Sequence, residues 1–232
     1  MRRNFSRTVA VTGSLLLISS AISQDGARGE LRGRLREAVL EAKASGRSQV
    51  RIPAVQITPA SVNSLFTIRE SYTVVVAQPQ QIVMAPTADG NGITTWYKLK
   101  VSEMVTKQPV VSSEPSLGQL EVPAGLLPIG PDEVLMAMSG GSIVAQGVTV
   151  LQGSPFNLRL EPNREYVLCL YLQWSGALAD LASLSDGAFE LQPDGSTILP
   201  LGHKEHPLVR DVYVRTGNSL EFLRQALQEQ RR

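Results

Sequence analysis

Only one cysteine, two histidines and 5% aromatic residues occur in this 232-residue chain. The lone thiol, Cys169, excludes an intrachain disulfide. It lies in the apolar run YVLCLYL from Tyr166 to Leu172, where a buried thiol acts as a small hydrophobe with a raised pKa and not as a nucleophile. Scarce aromatics leave Leu and Val to fill the interior. Neither sign of charge dominates: the formal net charge is +1, which provides no electrostatic footprint for nucleic acid or an anionic membrane. No G-x-S-x-G elbow is present, and a Ser-His-Asp arrangement would have to recruit one of only two imidazoles. Asp89-Gly90-Asn91 resembles the opening of a calcium loop, but the later ligands and the closing Glu are missing, so a hairpin turn is the better reading. Paired-carboxylate glycosidase chemistry is not signalled either.

A long uninterrupted hydrophobic run is also lacking. The apolar stretch from Val9 to Ile22 is broken by Thr12, Ser14, Ser19 and Ser20 and ends at Gln24-Asp25-Gly26. A membrane anchor needs roughly 20 apolar residues. The basic start, apolar middle and small residues Ala21 and Ser23 instead predict a secretory signal over residues 1–23, and hence an exported protein, periplasmic or extracellular, with no stable membrane insertion after cleavage. No cysteine follows the cleavage point, which excludes a lipid anchor there. Arg2-Arg3 resembles a twin-arginine signal, but the very short basic region favours the general secretory route. Loss of Arg2, Arg3 and Arg7 lowers the formal charge from +1 to −2.

With 43% hydrophobic and 19% charged residues, the remainder is rich enough in apolar surface to fold. Residues 24–58 read as an N-terminal helix, with Leu31, Leu35, Ala38, Val39 and Ala42 on one stripe, followed by an extended arm from Val50. Residues 59–215 read as one β domain. It opens on Thr58-Pro59 as a helix start, with Val62, Leu65 and Phe66 on one face. Its central feature is Ile93 to Val105, where Tyr97, Leu99 and Val101 alternate with Lys98, Lys100 and Ser102, one dry face and one wet. Asp89-Gly90-Asn91-Gly92 supplies the turn from the preceding β-rich run. Pro79 bends that run or marks an edge. Further strands are predicted at 133–138, 143–145, 148–151, 156–160, 189–191 and 197–199. The Cys169 run, apolar on both faces, is predicted to be central and covered by a helix. Leu178 to Leu184 reads as a short helical crossing. Five prolines interrupt residues 107–132, a candidate lid. Residues 216–232 read as a terminal helix carrying Leu220, Leu223 and Leu227, with Asn218 and Glu221 as a capping pair.

The fold class is therefore mainly β, with α+β character at the margins: a small antiparallel barrel or sandwich with flanking helices at both ends. The order helix, Val-Val-Val strand, turn, long strand and strand ending in Gly-Gly, over Ser61 to Leu201, resembles an uncharacterised group of secreted bacterial β-proteins with an oligonucleotide/oligosaccharide-binding-like (OB-like) barrel. The resemblance implies the barrel and no particular chemistry.

Two constellations are candidate sites. Trp96, beside Lys98 and Lys100 on the wet side of its strand, would stack on a sugar or base if exposed, and lies in the core if covered. His203, Glu205 and His206 in GHKEHP could ligate zinc, or form a solvated polar turn. The leading expectation is a non-catalytic exported domain, with no cofactor and no nucleic-acid partner, that binds an envelope or extracellular protein or glycan. The alternatives are an exported hydrolase or metal-dependent enzyme using His203, Glu205 and His206, and an envelope structural or assembly protein.

Overall fold

The computed structural model describes residues 31–54, 62–106, 122–154, 158–173, 178–181 and 184–228. The expected signal segment, Thr58-Pro59, residues 107–121, Phe156 and Trp174 lie outside the described residues.

The protein is mainly β, sandwich-like, with flanking helices. A seven-stranded sheet contains β2 (Thr73–Pro86), β3 (Ile93–Thr106), β4 (Glu133–Ser139), β7 (Tyr166–Gln173), β8 (Leu178–Leu181), β9 (Ala188–Leu191) and β10 (Ile198–Pro200), in the order β10-β9-β7-β2-β3-β4-β8. A three-stranded sheet contains β1 (Gln49–Ile52), β6 (Val148–Gln152) and β5 (Gly141–Ala145). β8 also pairs β7, so the pairings β2–β3–β4–β8–β7 return to β2. The return runs through a narrow parallel seam, Leu135 opposite Leu178 and Met136 opposite Ala179, which makes a curled sheet rather than an evenly closed wall. Leu178–Leu181, expected as helix, is therefore strand: cross-strand pairing on both edges outweighs the helix preference of Leu and Ala.

The core falls into several layers. Inside the curl, Tyr97 and Leu99 of β3 meet Met136 of β4 and Tyr166, Leu168 and Leu170 of β7. On the outer face of β2 and β7, Val74, Val76, Val167 and Cys169 pack beneath α2 (Leu65–Ser71), α3 (Pro207–Thr216) and α4 (Leu220–Gln228). The Cys169 strand is thus central and helix-covered, as its two apolar faces require. Leu220, Leu223 and Leu227 of α4 point into this layer. The cap of α4 differs from expectation: Phe222 N–H donates to Ser219 Oγ (3.4 Å), while Asn218 sits in the left-handed region. Phe66 is exposed, not on the buried face of α2, and carries the Arg69 guanidinium 4.8 Å above its ring. The described part of the expected strand 156–160, residues 158–160, is not strand, although Leu158 and Leu160 are buried.

The third layer joins α1 (Gly33–Ala44) to the small sheet, with Leu35, Val39 and Ala42 against Ile143, Val148 and Val150. Its anchor is the β2–β3 turn. Leu35 N–H donates to Gly90 O (3.0 Å) and Arg34 N–H to Asn91 Oδ1 (3.3 Å). Gly90 has φ +69°, and a Cβ there would lie 2.3 Å from Arg32 O, so only glycine permits this approach. Gln152 completes the joint: Ile93 N–H donates to its Oε1 (2.6 Å) and its Nε2 donates to Pro53 O (3.0 Å). A second tight corner lies between β4 and β5, separated by Gly140 alone. Gly140 and Gly141 have φ +102° and +139°, Gly140 N–H donates to Ile93 O (2.7 Å), and Thr95 Oγ1 donates to Gly140 O (2.7 Å).

Pro79 accounts for an irregularity in β2. Pairing with β7 stops at Ala77, and the β3 register slips between Pro79 and Gln81, so the proline meets a partner on one side only. The β9–β10 hairpin turns at Asp194, whose carboxylate accepts from Ser196 N–H, Thr197 N–H (both 2.8 Å) and Thr197 Oγ1 (2.6 Å). These bonds, the Thr197 hydroxyl first, hold its pKa down at about 2. The turn's contribution to stability is complete above the unfolded carboxyl value near 3.8 and is lost as pH falls through about 2. Carboxyl-carbon NMR titration should place the Asp194 midpoint near 2; a midpoint at the unfolded value would mean the turn bonds are not formed in solution.

Candidate functional site

Trp96 is 1% exposed, which corrects the expectation of a stacking face. It packs with Leu126 and Leu135, and Val83, Ala85, Val122 and Ile129 close around them. The cover is the proline-rich stretch, whose residues 122–130 cross the outer face of β3 through a short 3-10 turn at Ala124–Leu126. Lys98 and Lys100 belong to the same clasp. Lys98 Nζ donates to Pro128 O (2.9 Å) and pairs with Glu133 (3.0 Å), and Lys100 pairs with Asp132 (3.3 Å). The Gly130 N–H and Lys98 together hold the Glu133 carboxyl below its ordinary range. These two lysines fasten the strap rather than face an open groove.

His203 and His206 do come together, but around Asp186 and not with Glu205, which is exposed. His203 Nδ1 and His206 Nε2 lie 3.5 and 3.8 Å from the Asp186 carboxylate. That carboxylate accepts from His203 N–H (2.7 Å), while His206 Nδ1 accepts from Leu208 N–H (3.3 Å) and so caps α3. Among the described residues no group of three or more His, Cys, Asp and Glu could hold a metal ion. The cluster does a structural job: it fixes the turn from which α3 starts.

The helix so started was not foreseen in the sequence, yet its signals are present. Pro207 stands at the first helical position, Gly217 takes the left-handed stop, and Leu208, Val209, Val212 and Thr216 are spaced at one, three and four. Asp211 ties α3 to α2 by accepting from Leu65 N–H (2.8 Å), and within α3 it pairs with Arg215 (2.7 Å). The rotation this imposes sends Arg210, Tyr213 and Val214 outward over β10.

There they line a groove of about 480 Å³ with Leu199, Pro200, Lys204, Val209 and Asn218. Its floor is braced: Ile198 N–H donates to Asn218 O (2.8 Å) and Thr197 bridges Ser219. Val214 is 79% exposed, Tyr213 61% and Leu199 43%. An apolar surface held open on a braced floor is the usual anatomy of a binding site. Among the described residues the lining is apolar apart from Lys204, Arg210 and Asn218.

Cys169 offers no alternative chemistry. Burial pushes its thiol up to about 12. Ellman's reagent should leave the native protein unlabelled and titrate one thiol after unfolding; rapid native labelling would place the β7 outer face in solvent.

No family model matches this chain, and a search of curated proteins finds no match. No helix among the described residues is long and apolar enough to cross a membrane.

Proposed function

We propose that this chain is an exported, non-catalytic binding domain that docks a partner protein in the groove between β10 and α3. The observation that carries the reading is the exposure of Val214, Tyr213 and Leu199 around a braced cavity, since exposed large apolar side chains gathered at one concavity mark interaction surfaces. The lining favours protein over glycan: it is mostly apolar and holds a single aromatic ring, Tyr213, too little for stacking on sugars. Export rests on the basic, apolar and small-residue order of residues 1–23.

The β2–β3–β4–β8–β7 circuit, a meander joined to a crossover strand by one parallel seam, supports an OB-like barrel as the scaffold. Such barrels bind oligomers on the face of their second and third strands. That face corresponds here to β3 and β4, where residues 122–130 lie over Trp96 and Leu135. Docking therefore shifts to the helical side.

A photo-crosslinking residue placed at Val214 in the producing cell should give one discrete adduct. The same residue at Val144, also exposed and apolar but on the small sheet, should give none. Identical adducts from both positions would show general surface stickiness and end the proposal.

A further inference from the structure

We infer that the occupant of the β10–α3 groove is a protein segment in which large apolar side chains are flanked by carboxylates. The inference rests on the groove being a docking site and adds what the partner must present. Lys204 and Arg210 line the groove, and both are exposed. Neither makes an ion pair or side-chain hydrogen bond among the described residues, and no Asp or Glu lines the cavity. Other cations of the helical layer are matched: Arg215 with Asp211, and Arg224 with Glu103 and Glu221. The turn bonded to Asp186 fixes the backbone on either side of Lys204, and the first turn of α3 carries Arg210, so the two charges are presented from restrained backbone.

The floor and rim therefore ask for different chemistry. Leu199, Tyr213 and Val214 require an apolar side chain to leave water, while Lys204 and Arg210 require anions, and the Arg fork suits a carboxylate. A neutral sugar would leave both cations unmatched, and an acidic one would leave the apolar floor without an apolar side chain. A phosphate polymer would leave the apolar floor uncovered. A peptide with Leu or Phe between Glu or Asp satisfies both. Exposed ion pairs contribute little each, and two together are worth about a tenfold gain in affinity.

The test uses the full chain and three fluorescein-labelled nine-residue peptides with a central Leu-Phe, flanked by Glu, Gln or Lys. Fluorescence polarisation should rank them Glu, Gln, Lys, with about tenfold between the first two. Lys204→Glu with Arg210→Glu should reverse the order, and Val214→Asp should weaken all three. Equal affinities that Val214→Asp still abolishes would overturn the acidic requirement and leave the groove in place. Binding untouched by Val214→Asp would overturn the groove itself. Failure of the Glu peptide to bind at about 1 mM, the weak end of measurable affinity, overturns the inference. So does failure of all three peptides alongside sedimentation with phosphatidylglycerol vesicles that the charge reversal abolishes, which would assign the groove to a lipid surface.

Discussion

Trp96→Ala is expected to destabilise the protein by about 3–5 kcal/mol, because it deletes the largest fully buried side chain among the described residues and leaves a cavity under the strap. That is a large share of the roughly 5–15 kcal/mol that holds an ordinary domain together. The loss has two origins. The indole no longer fills the space between Val83 and Ala85 of β2, Ala137 of β4 and Leu126 of the strap. The strap then has less apolar surface to cover, and its attachment falls to the half-buried Lys98 contacts and to the exposed Lys100–Asp132 pair, the latter of small worth. Chemical denaturation measures the first effect, and hydrogen exchange at Leu126 and Leu127 the second. Binding in the β10–α3 groove should be unchanged at temperatures where the variant is folded, since Trp96 does not line it. A variant as stable as the parent would mean that Trp96 is not a packed core residue.

Gly90→Val is the second large effect, and it is local. Left-handed backbone at a β-branched residue costs about 1–3 kcal/mol, and the new Cβ would meet Arg32 O at 2.3 Å. Relief requires the start of α1 to move away, which breaks the Leu35–Gly90 bond and exposes Leu35, Val39 and Ala42. Amide exchange should therefore quicken through α1 and β1 while the β2–β7 ladder keeps its protection. Quickening that is equal in β7 would show that the N-terminal layer is not a separable part of the fold.

Much of the architecture could be read in the chain because the pattern of its main strands records whether one face or both are buried. Tyr97 and Leu99 alternate with Lys98 and Lys100 as a one-sided strand must, and the unbroken apolar run at Cys169 has a cover on both sides. Alternation fails at Ile93 to Tyr97, where five consecutive residues are buried. The reason is cover brought from elsewhere: the strap on one side, and α1 with the small sheet against Ile93 on the other. A strand pattern records which faces are dry only when the covering chain has a pattern of its own, and the proline-rich stretch has none. Leu178–Leu181 is strand because two neighbours pair with it, a fact written in β4 and β7 rather than in its own residues.

The groove was less legible for a related reason. Leu199, Lys204 and Val214 belong to a strand, a turn and a helix, and their meeting depends on the rotation that Asp211 and the His206 cap impose on α3. The two histidines stand in the turn that borders the groove. His206 caps α3, and the acid that both imidazoles face, Asp186, lies 17 residues before His203 in the chain.

The corner at Gly140 has a mechanical meaning. Because one ribbon runs from β4 into β5 with a single residue between, and that residue is tied to Ile93 and Thr95, the β5–β6 hairpin cannot swing away unless β4 is torn from β3. The boundary between parts that can loosen independently thus falls inside the three-stranded sheet, between β1 and β6, and not between the two sheets. Partition by hydrogen-bonded layers and partition by cooperative melting cut this molecule along different lines.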